Sequence, residues 1–293
     1  MRIVIFTDLD GTLLHPVTYS YAAAGQALEI IRRWRIPLVF CSSKTRAEIE
    51  LFRMRIRNSH PFVTENGGGI FIPEGYFGFP VGGRSAEGYE VLALGTPYRE
   101  IREAFVRLRA EMRAPVRGFG DMTVAEVAAL TDLTPGEAAL AKQREFDEPF
   151  LFEGELAEDF LAAIERAGFR WTRGELFHIT GGNDKGKALA ILKEHYQRLY
   201  GKIVTIGLGD GLNDLPLLEG VDHPVLIRKT DHSFAPGVEL PGMVRTRGIG
   251  PAGWNEALLD FLATLRQRRA GRFAKQGAPG GDNGPEGGWS YGR

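Results

Sequence analysis

The chain opens on a nearly unbroken apolar run, Arg2 to Leu9, which leads into Asp8-Leu9-Asp10-Gly11-Thr12. A strand without polar alternation is buried on both faces, the pattern of a parallel sheet covered by helices. The aspartates then fall at the carboxyl end of the strand, outside which α/β sheets bind their ligands. Alternate strand residues point the same way, so Asp8 and Asp10 face one crevice. Two close carboxylates repel unless a proton or cation lies between them. Gly11 allows the sharp turn that must follow. Taken alone, the pentapeptide also reads as an acidic turn.

The rest of the chain repeats this strand–helix order. Ala24, Ala27, Leu28, Ile31 and Trp34 recur at helical spacing, followed by a strand over Pro37–Cys41. Ile49, Phe52 and Ile56 mark a second helix, and Phe62–Thr64 and Gly69–Ile72 mark short strands. From about Gly83 to Gly181 the pattern changes. Ile101, Phe105, Leu108 and Met112 form a helical stripe. Thr123…Glu126 and Thr134-Pro-Gly-Glu137 are capping boxes. Leu156, Phe160 and Ile164 mark a later helix ended by Gly168. Strands are expected at Phe150–Phe152, Phe169–Thr172 and Leu176–Thr180. The α/β pattern resumes with a helix from Lys185 to Tyr200, strands at Ile203–Leu208 and Pro224–Ile227, and a helix through Trp254, Leu258, Phe261 and Leu265. The expected organisation is an α/β domain over 1–82 and 182–268, an inserted α+β module over 83–181, and a disordered Gly/Pro-rich tail over 269–293.

Three further segments carry chemistry. Gly207-Leu-Gly209-Asp210-Gly211-Leu-Asn213-Asp214 follows a buried strand, so Asp210 sits at a strand tip like Asp8. Carboxylates converging on one crevice are the ligand set of a hard cation, and oxygen-only ligands favour Mg²⁺ over zinc. Cys41-Ser42-Ser43-Lys44-Thr45 lies at another strand end, where hydroxyls, backbone N–H groups and a helix N-terminus can hold a phosphate or simply cap the helix. Gly181-Gly182-Asn-Asp184-Lys185-Gly-Lys187-Ala188 approaches the P-loop template, which would make a nucleoside triphosphatase. Ala188 replaces the hydroxyl that ligates Mg²⁺ there, and Asp184 would put negative charge into a phosphate cradle.

Charge and cysteine use narrow the classes. The 293 residues hold 36 Lys+Arg against 37 Asp+Glu, a net charge of −1. That balance makes no electrostatic case for a nucleic-acid or membrane partner. No apolar stretch approaches the ~18–20 residues of a membrane span. The N-terminus reads as a strand rather than a signal peptide. A single cysteine, Cys41, fits a reducing cytoplasm.

In this order, Asp8-Leu-Asp10-Gly-Thr, the Ser42 strand end, Lys185 and Gly209-Asp210…Asn213-Asp214 resemble the haloacid dehalogenase (HAD) superfamily. The inserted module resembles the large cap of its Cof-like branch. Phe40-Cys-Ser-Ser-Lys-Thr-Arg46, Glu65-Asn-Gly-Gly-Gly69, Arg144-Glu-Phe-Asp-Glu148-Pro-Phe150 and His178…Lys185 are similar to the mannosyl-3-phosphoglycerate phosphatase family, over about Arg2 to Leu265. The resemblance implies a Rossmann-like parallel-sheet core with an inserted cap. It also implies a Mg²⁺-dependent phosphatase that turns mannosyl-3-phosphoglycerate into mannosylglycerate. Asp8 would be the nucleophile that forms an aspartyl-phosphate, and Asp10 the acid and then the base. Asp8, Asp210 and the Asp10 backbone carbonyl would hold the metal, with Asp214 orienting its shell. Ser42 and Lys185 would hold the phosphoryl oxygens. Arg144 would clamp the substrate carboxylate, or else pair with Glu148 at i, i+4. Ser43, Lys44, Glu65, Asn66, Gln143, Glu148, His178, Gly181, Gly182 and Asn213 are the remaining substrate candidates, with His178 alternatively a packing residue. The other activities weighed are a phosphatase of the glucosyl analogue or of a hexose phosphate, and a phosphosugar mutase. A small phosphorylated sugar-glycerate is the expected partner, on a monomer or weak homodimer.

Overall fold

The computed structural model describes residues 2–276. Its larger sheet has nine strands in the order β13-β12-β11-β1-β2-β3-β4-β6-β5. β1 (Arg2–Thr7), β2 (Leu38–Cys41) and β3 (Phe62–Thr64) run parallel, joined by α1 (Gly25–Arg33) and α2 (Arg46–Ile56). On the other side of β1, β11 (Ile203–Gly209), β12 (His223–Arg228) and β13 (Val244–Ile249) continue the parallel set. Antiparallel β4 (Gly69–Pro73), β5 (Arg84–Ala86) and β6 (Tyr89–Ala93) close the far edge. Strand order reverses at β1, so the crevice opens between the carboxyl ends of β1 and β11.

The apolar runs explain the layers. Val4 and Phe6 of β1 pack with Leu189, Leu192 and Tyr196 of α7 (Lys185–Tyr200) and Leu217 of α8 (Leu215–Glu219). Phe40 of β2 meets Phe52 of α2, ring centroids 5.4 Å apart, on the α1/α2 side. Each such buried aromatic or aliphatic side chain stabilises by about 1.5–3 kcal/mol.

The inserted module has its own antiparallel sheet, ordered β7-β8-β10-β9: β7 (Val116–Gly118), β8 (Asp147–Phe152), β9 (Arg170–Arg173) and β10 (Phe177–Thr180). One face packs on α3 (Tyr98–Met112) and α6 (Glu158–Arg166) through Phe105, Phe150, Phe160 and Ile179. α4 (Val124–Thr131) and α5 (Pro135–Ala141) form a smaller cluster around Phe119, Val127 and Ala138. Both expected capping boxes, at Thr123 and Thr134, are formed. A third, Thr45–Glu48, opens α2.

Some boundaries differ from expectation. β5 and β6 fall within the range 83–181 yet pair into the larger sheet, so the separate module begins at α3. β5 exposes Arg84 and Ser85, the composition of a protected edge, and β6 opens on half-buried Tyr89 and Glu90 and buries only Val91, so neither gives a long apolar run to read. β13, with Arg245 and Arg247, escapes notice for the same reason. Trp34, Met112, Leu156 and Leu199 are exposed because each lies in a last turn or beyond a helix end. α9 (Gly250–Gln276) extends past residue 269, where the tail was expected to start, and residues 277–293 lie outside the described residues. A first compact unit reaches Ala257, and a second starts at Leu258. No helix among the described residues is long and apolar enough to cross a membrane.

Candidate active site

β1 continues for one more ladder bond, Asp8 N–H to the Leu208 carbonyl at 2.9 Å, and then turns. Behind it Trp254 Nε1 donates to Thr7 Oγ1 at 3.0 Å. Gly11 has φ +74°, and a Cβ there would stand 2.6 Å from Asp210 Oδ2. Glycine therefore serves both the turn and the close approach of the second acidic segment. Asp214 ties that segment down: its Oδ2 accepts from the backbone N–H of Asp210 (2.9 Å) and Gly211 (3.0 Å).

Lys185 sits in the first turn of α7, where the helix dipole disfavours a cation. It is fully buried and donates to Asp8 Oδ1 at 2.7 Å and Asp214 Oδ1 at 2.6 Å. Burial works to lower its pKa, but the Asp214 and Asp8 carboxylates outweigh burial and hold it above the usual lysine range. Asp8, Asp210 and Asp214 bring carboxylate oxygens within 4.8 Å of one another. Burial, followed by the neighbouring acids, pushes Asp8 well up against the opposing pull of Lys185, and pushes Asp210 up to about 7. Asp10 Oδ1 is buried with no hydrogen-bond partner. Three acids, one ammonium and an orphaned carboxylate oxygen leave negative charge that a divalent cation would neutralise, and an all-oxygen set suits Mg²⁺.

These groups floor a cavity of about 360 Å³. Lys44 stands 3.1 Å from Asp10 Oδ2 and 3.3 Å from Glu48 Oε1. Burial opposes its charge, but Asp10 and Glu48 hold its pKa above the ordinary value. The inserted module roofs the cavity with Thr131, Arg144, Pro149, Glu175 and His178.

Of the residues singled out from sequence, Asp8, Asp10, Ser43, Lys44, Arg144, His178, Asp210 and Asn213 line this cavity. Lys185 and Asp214 are buried against its acids. Ser42 is buried at the end of β2, its Oγ accepting the Lys44 N–H at 3.2 Å. Glu65 and Asn66 are buried at the junction with the inserted module. Glu65 accepts backbone N–H bonds from Glu145, Phe146 and Asp147 at 2.7–3.0 Å, and Asn66 Oδ1 accepts from Asn213 at 3.2 Å.

Four candidates are placed elsewhere. Glu148 is on the opposite face of β8 from Asp147 and Pro149, because side chains alternate along a strand. It is buried, accepting from Gly120 N–H (2.8 Å), Tyr98 (2.7 Å) and Arg102 (3.2 Å). It therefore does not pair with Arg144, which is hydrogen-bonded to Asp147, three residues on, and stands 3.6 Å from Glu65. Gln143 is exposed after α5. Gly181 is packed against Thr96, and Gly182 is exposed with its carbonyl taken by Lys187 Nζ. Sequence reasoning missed Tyr19, Asp147, Glu175 and Lys229. Lys229, 3.7 Å from Asp210, follows β12 and was reachable by the same strand-end rule.

No family model matches the chain. A subclass IIB sugar phosphatase of the HAD superfamily superposes with a TM-score of 0.58 at 16% identity, over 89% of this chain and 99% of that one. The fold is that of the HAD phosphatases in their Cof-like branch, a parallel core beneath an inserted α+β module. In sequence, the chain is 43% identical over 266 residues to the glucosyl-3-phosphoglycerate/mannosyl-3-phosphoglycerate phosphatase of Methanococcoides burtonii, covering 89% of this chain and 98% of that protein. It is 36% identical over 236 residues to the mannosyl-3-phosphoglycerate phosphatase of Pyrococcus horikoshii, covering 80% and 94%. The chain belongs to this family of phosphatases, which are hydrolases of phosphoric monoesters.

Proposed function

We propose that this phosphatase removes the phosphate of mannosyl-3-phosphoglycerate in a Mg²⁺-dependent reaction, with the glucosyl analogue as a second substrate. The observation that carries the reading is the convergence of Asp8, Asp210 and Asp214, with Lys185 paired to Asp8 and Asp214, at the floor of a cavity roofed by the inserted module. The relatives' names supply the substrate class.

In this reading an Asp8 oxygen bonds to phosphorus while the bond from phosphorus to the glycerate oxygen breaks. Asp10 gives that oxygen a proton, then takes one from the water that hydrolyses the aspartyl-phosphate. Lys185 offsets the charge of Asp8 before reaction and of the phosphoryl oxygens during it. Asp8, Asp210 and the Asp10 backbone carbonyl, with Asp214 behind them, would hold the Mg²⁺, which when bound adds charge neutralisation at the phosphoryl oxygens. Glu65 and Asn66 act here as struts between core and inserted module rather than as substrate ligands. Arg144 spends its Nε and Nη2 edge on Asp147, so a bidentate clamp through that edge is not available to substrate.

Phosphate release tests this, measured on mannosyl- and glucosyl-3-phosphoglycerate, a hexose phosphate and p-nitrophenyl phosphate, with Mg²⁺ and with chelator. The expected result is release that chelation stops and Mg²⁺ restores, fastest from the sugar-phosphoglycerates. No release from either of those esters, or release indifferent to chelation, would overturn the reading.

A further inference from the structure

One carboxylate organises the wall of the cavity that the inserted module supplies. Asp147, the first residue of β8, is wholly buried. Its Oδ1 accepts from Arg144 Nε at 2.8 Å and from Arg144 Nη2. Its Oδ2 is 2.9 Å from His178 Nδ1 and accepts from Asn66 Nδ2 at 3.2 Å. Burial favours the protonated acid, but the positive charge of Arg144, followed by His178, outweighs burial and holds Asp147 below the usual carboxylate range.

An ionised carboxylate only accepts, so the His178 proton on this side is on Nδ1, and Nε2 makes no hydrogen bond among the described residues. Arg144 is fixed in the same way. Nη2 also donates to the Ser43 carbonyl at 2.7 Å, while Nη1 makes no hydrogen bond among the described residues and has Glu48 4.0 Å away. Arg144 and His178 both line the cavity, and Asp147 does not.

We infer that Asp147 is a positioning residue that sets Arg144 Nη1 toward the carboxylate, and His178 Nε2 toward a hydroxyl, of a carboxylate-bearing leaving group. The inference rests on the reading under Proposed function and extends it by naming the group that orients recognition. The physical gain is preorganisation: both side chains are immobilised before the ligand arrives, so binding orders less. A purely structural ion pair would stabilise the module equally for every substrate, whereas a positioning residue discriminates between leaving groups.

The test is Asp147→Asn, which keeps the volume but replaces one acceptor oxygen with an amide donor facing Nδ1–H or the guanidinium. The KM for mannosyl-3-phosphoglycerate should rise about 10–100-fold, by analogy with the carboxylates that orient metal-ligating histidines, with kcat falling less than KM rises. The kcat/KM ratio of p-nitrophenyl phosphate to the sugar ester should rise at least ~10-fold. Equal losses on both substrates would overturn the inference. Should the variant fail to fold by circular dichroism, Arg144→Lys and His178→Gln should each show the same skew, and an unskewed loss in both would overturn it. Should the wild-type enzyme not hydrolyse the sugar ester, the substrate reading fails. The inference then stands or falls on the same skew between 3-phosphoglycerate and p-nitrophenyl phosphate.

Discussion

Two of the buried charge clusters among the described residues solve the same problem differently. At the strand ends, Asp8 and Asp214 share one buried cation, Lys185, Asp210 has Lys229 3.7 Å away, and an Asp10 oxygen has no partner. At the junction with the inserted module, Glu65 and Asp147 share Arg144, and their oxygens are filled by backbone N–H groups, Asn66 and His178. A buried acid is costly unless paired and hydrogen-bonded. The junction meets that demand internally, so it can serve as a frame. The strand-end cluster keeps surplus negative charge beside an open cavity, the place that the proposed function gives to a cation and a phosphoryl group.

The largest effect that would separate the clusters is on catalysis. Asp8→Asn should reduce phosphate release by at least ~10³-fold while circular dichroism shows the fold retained. Turnover within about tenfold of wild type would remove the nucleophile from the reactive cluster.

A smaller effect separates them by stability. Lys185→Met leaves Asp8 and Asp214 buried without their cation and should cost about 3–5 kcal/mol in urea unfolding. Added Mg²⁺ should recover part of that loss, since an ion bound by the native state stabilises it. An unchanged urea midpoint would show that Lys185 does not hold these acids together.

The smallest effect sharpens the junction. Burial pushes Glu65 from 4.5 up to about 8, against the pull of Arg144 and the backbone N–H groups. Folding therefore favours its protonated form. That contribution is whole below about pH 4.5 and is lost as pH rises through about 8. Wild type should lose melting temperature between about pH 4.5 and 8 and level off above, and Glu65→Gln should show a flatter profile. Parallel profiles would mean that hydrogen bonding, not burial, governs Glu65.

Legibility followed the same division. The aspartates at the strand ends were readable because a buried parallel strand announces itself as an apolar run and its carboxyl end is where ligands collect. Lys185 stood out as a lysine after glycines at a helix start. Glu148 misled because it shares the segment Arg144–Phe150 with Asp147, and adjacent strand residues point to opposite faces. Asp147 went unnoticed for the same reason in reverse, and β5 and β13 because charged edge strands lack apolar contrast.

The sequence by itself determined the parallel core, the existence of an inserted module and the acids at the strand ends. All of these follow from local periodicity and from chain direction, which neighbours in sequence suffice to set. Only the tertiary structure decided which acids meet Lys185, that Arg144 is spent on Asp147, and that His178 faces the cavity while Glu148 does not. Those pairings join residues up to 177 positions apart (Asp8 to Lys185), and burial makes each depend on every other charge nearby.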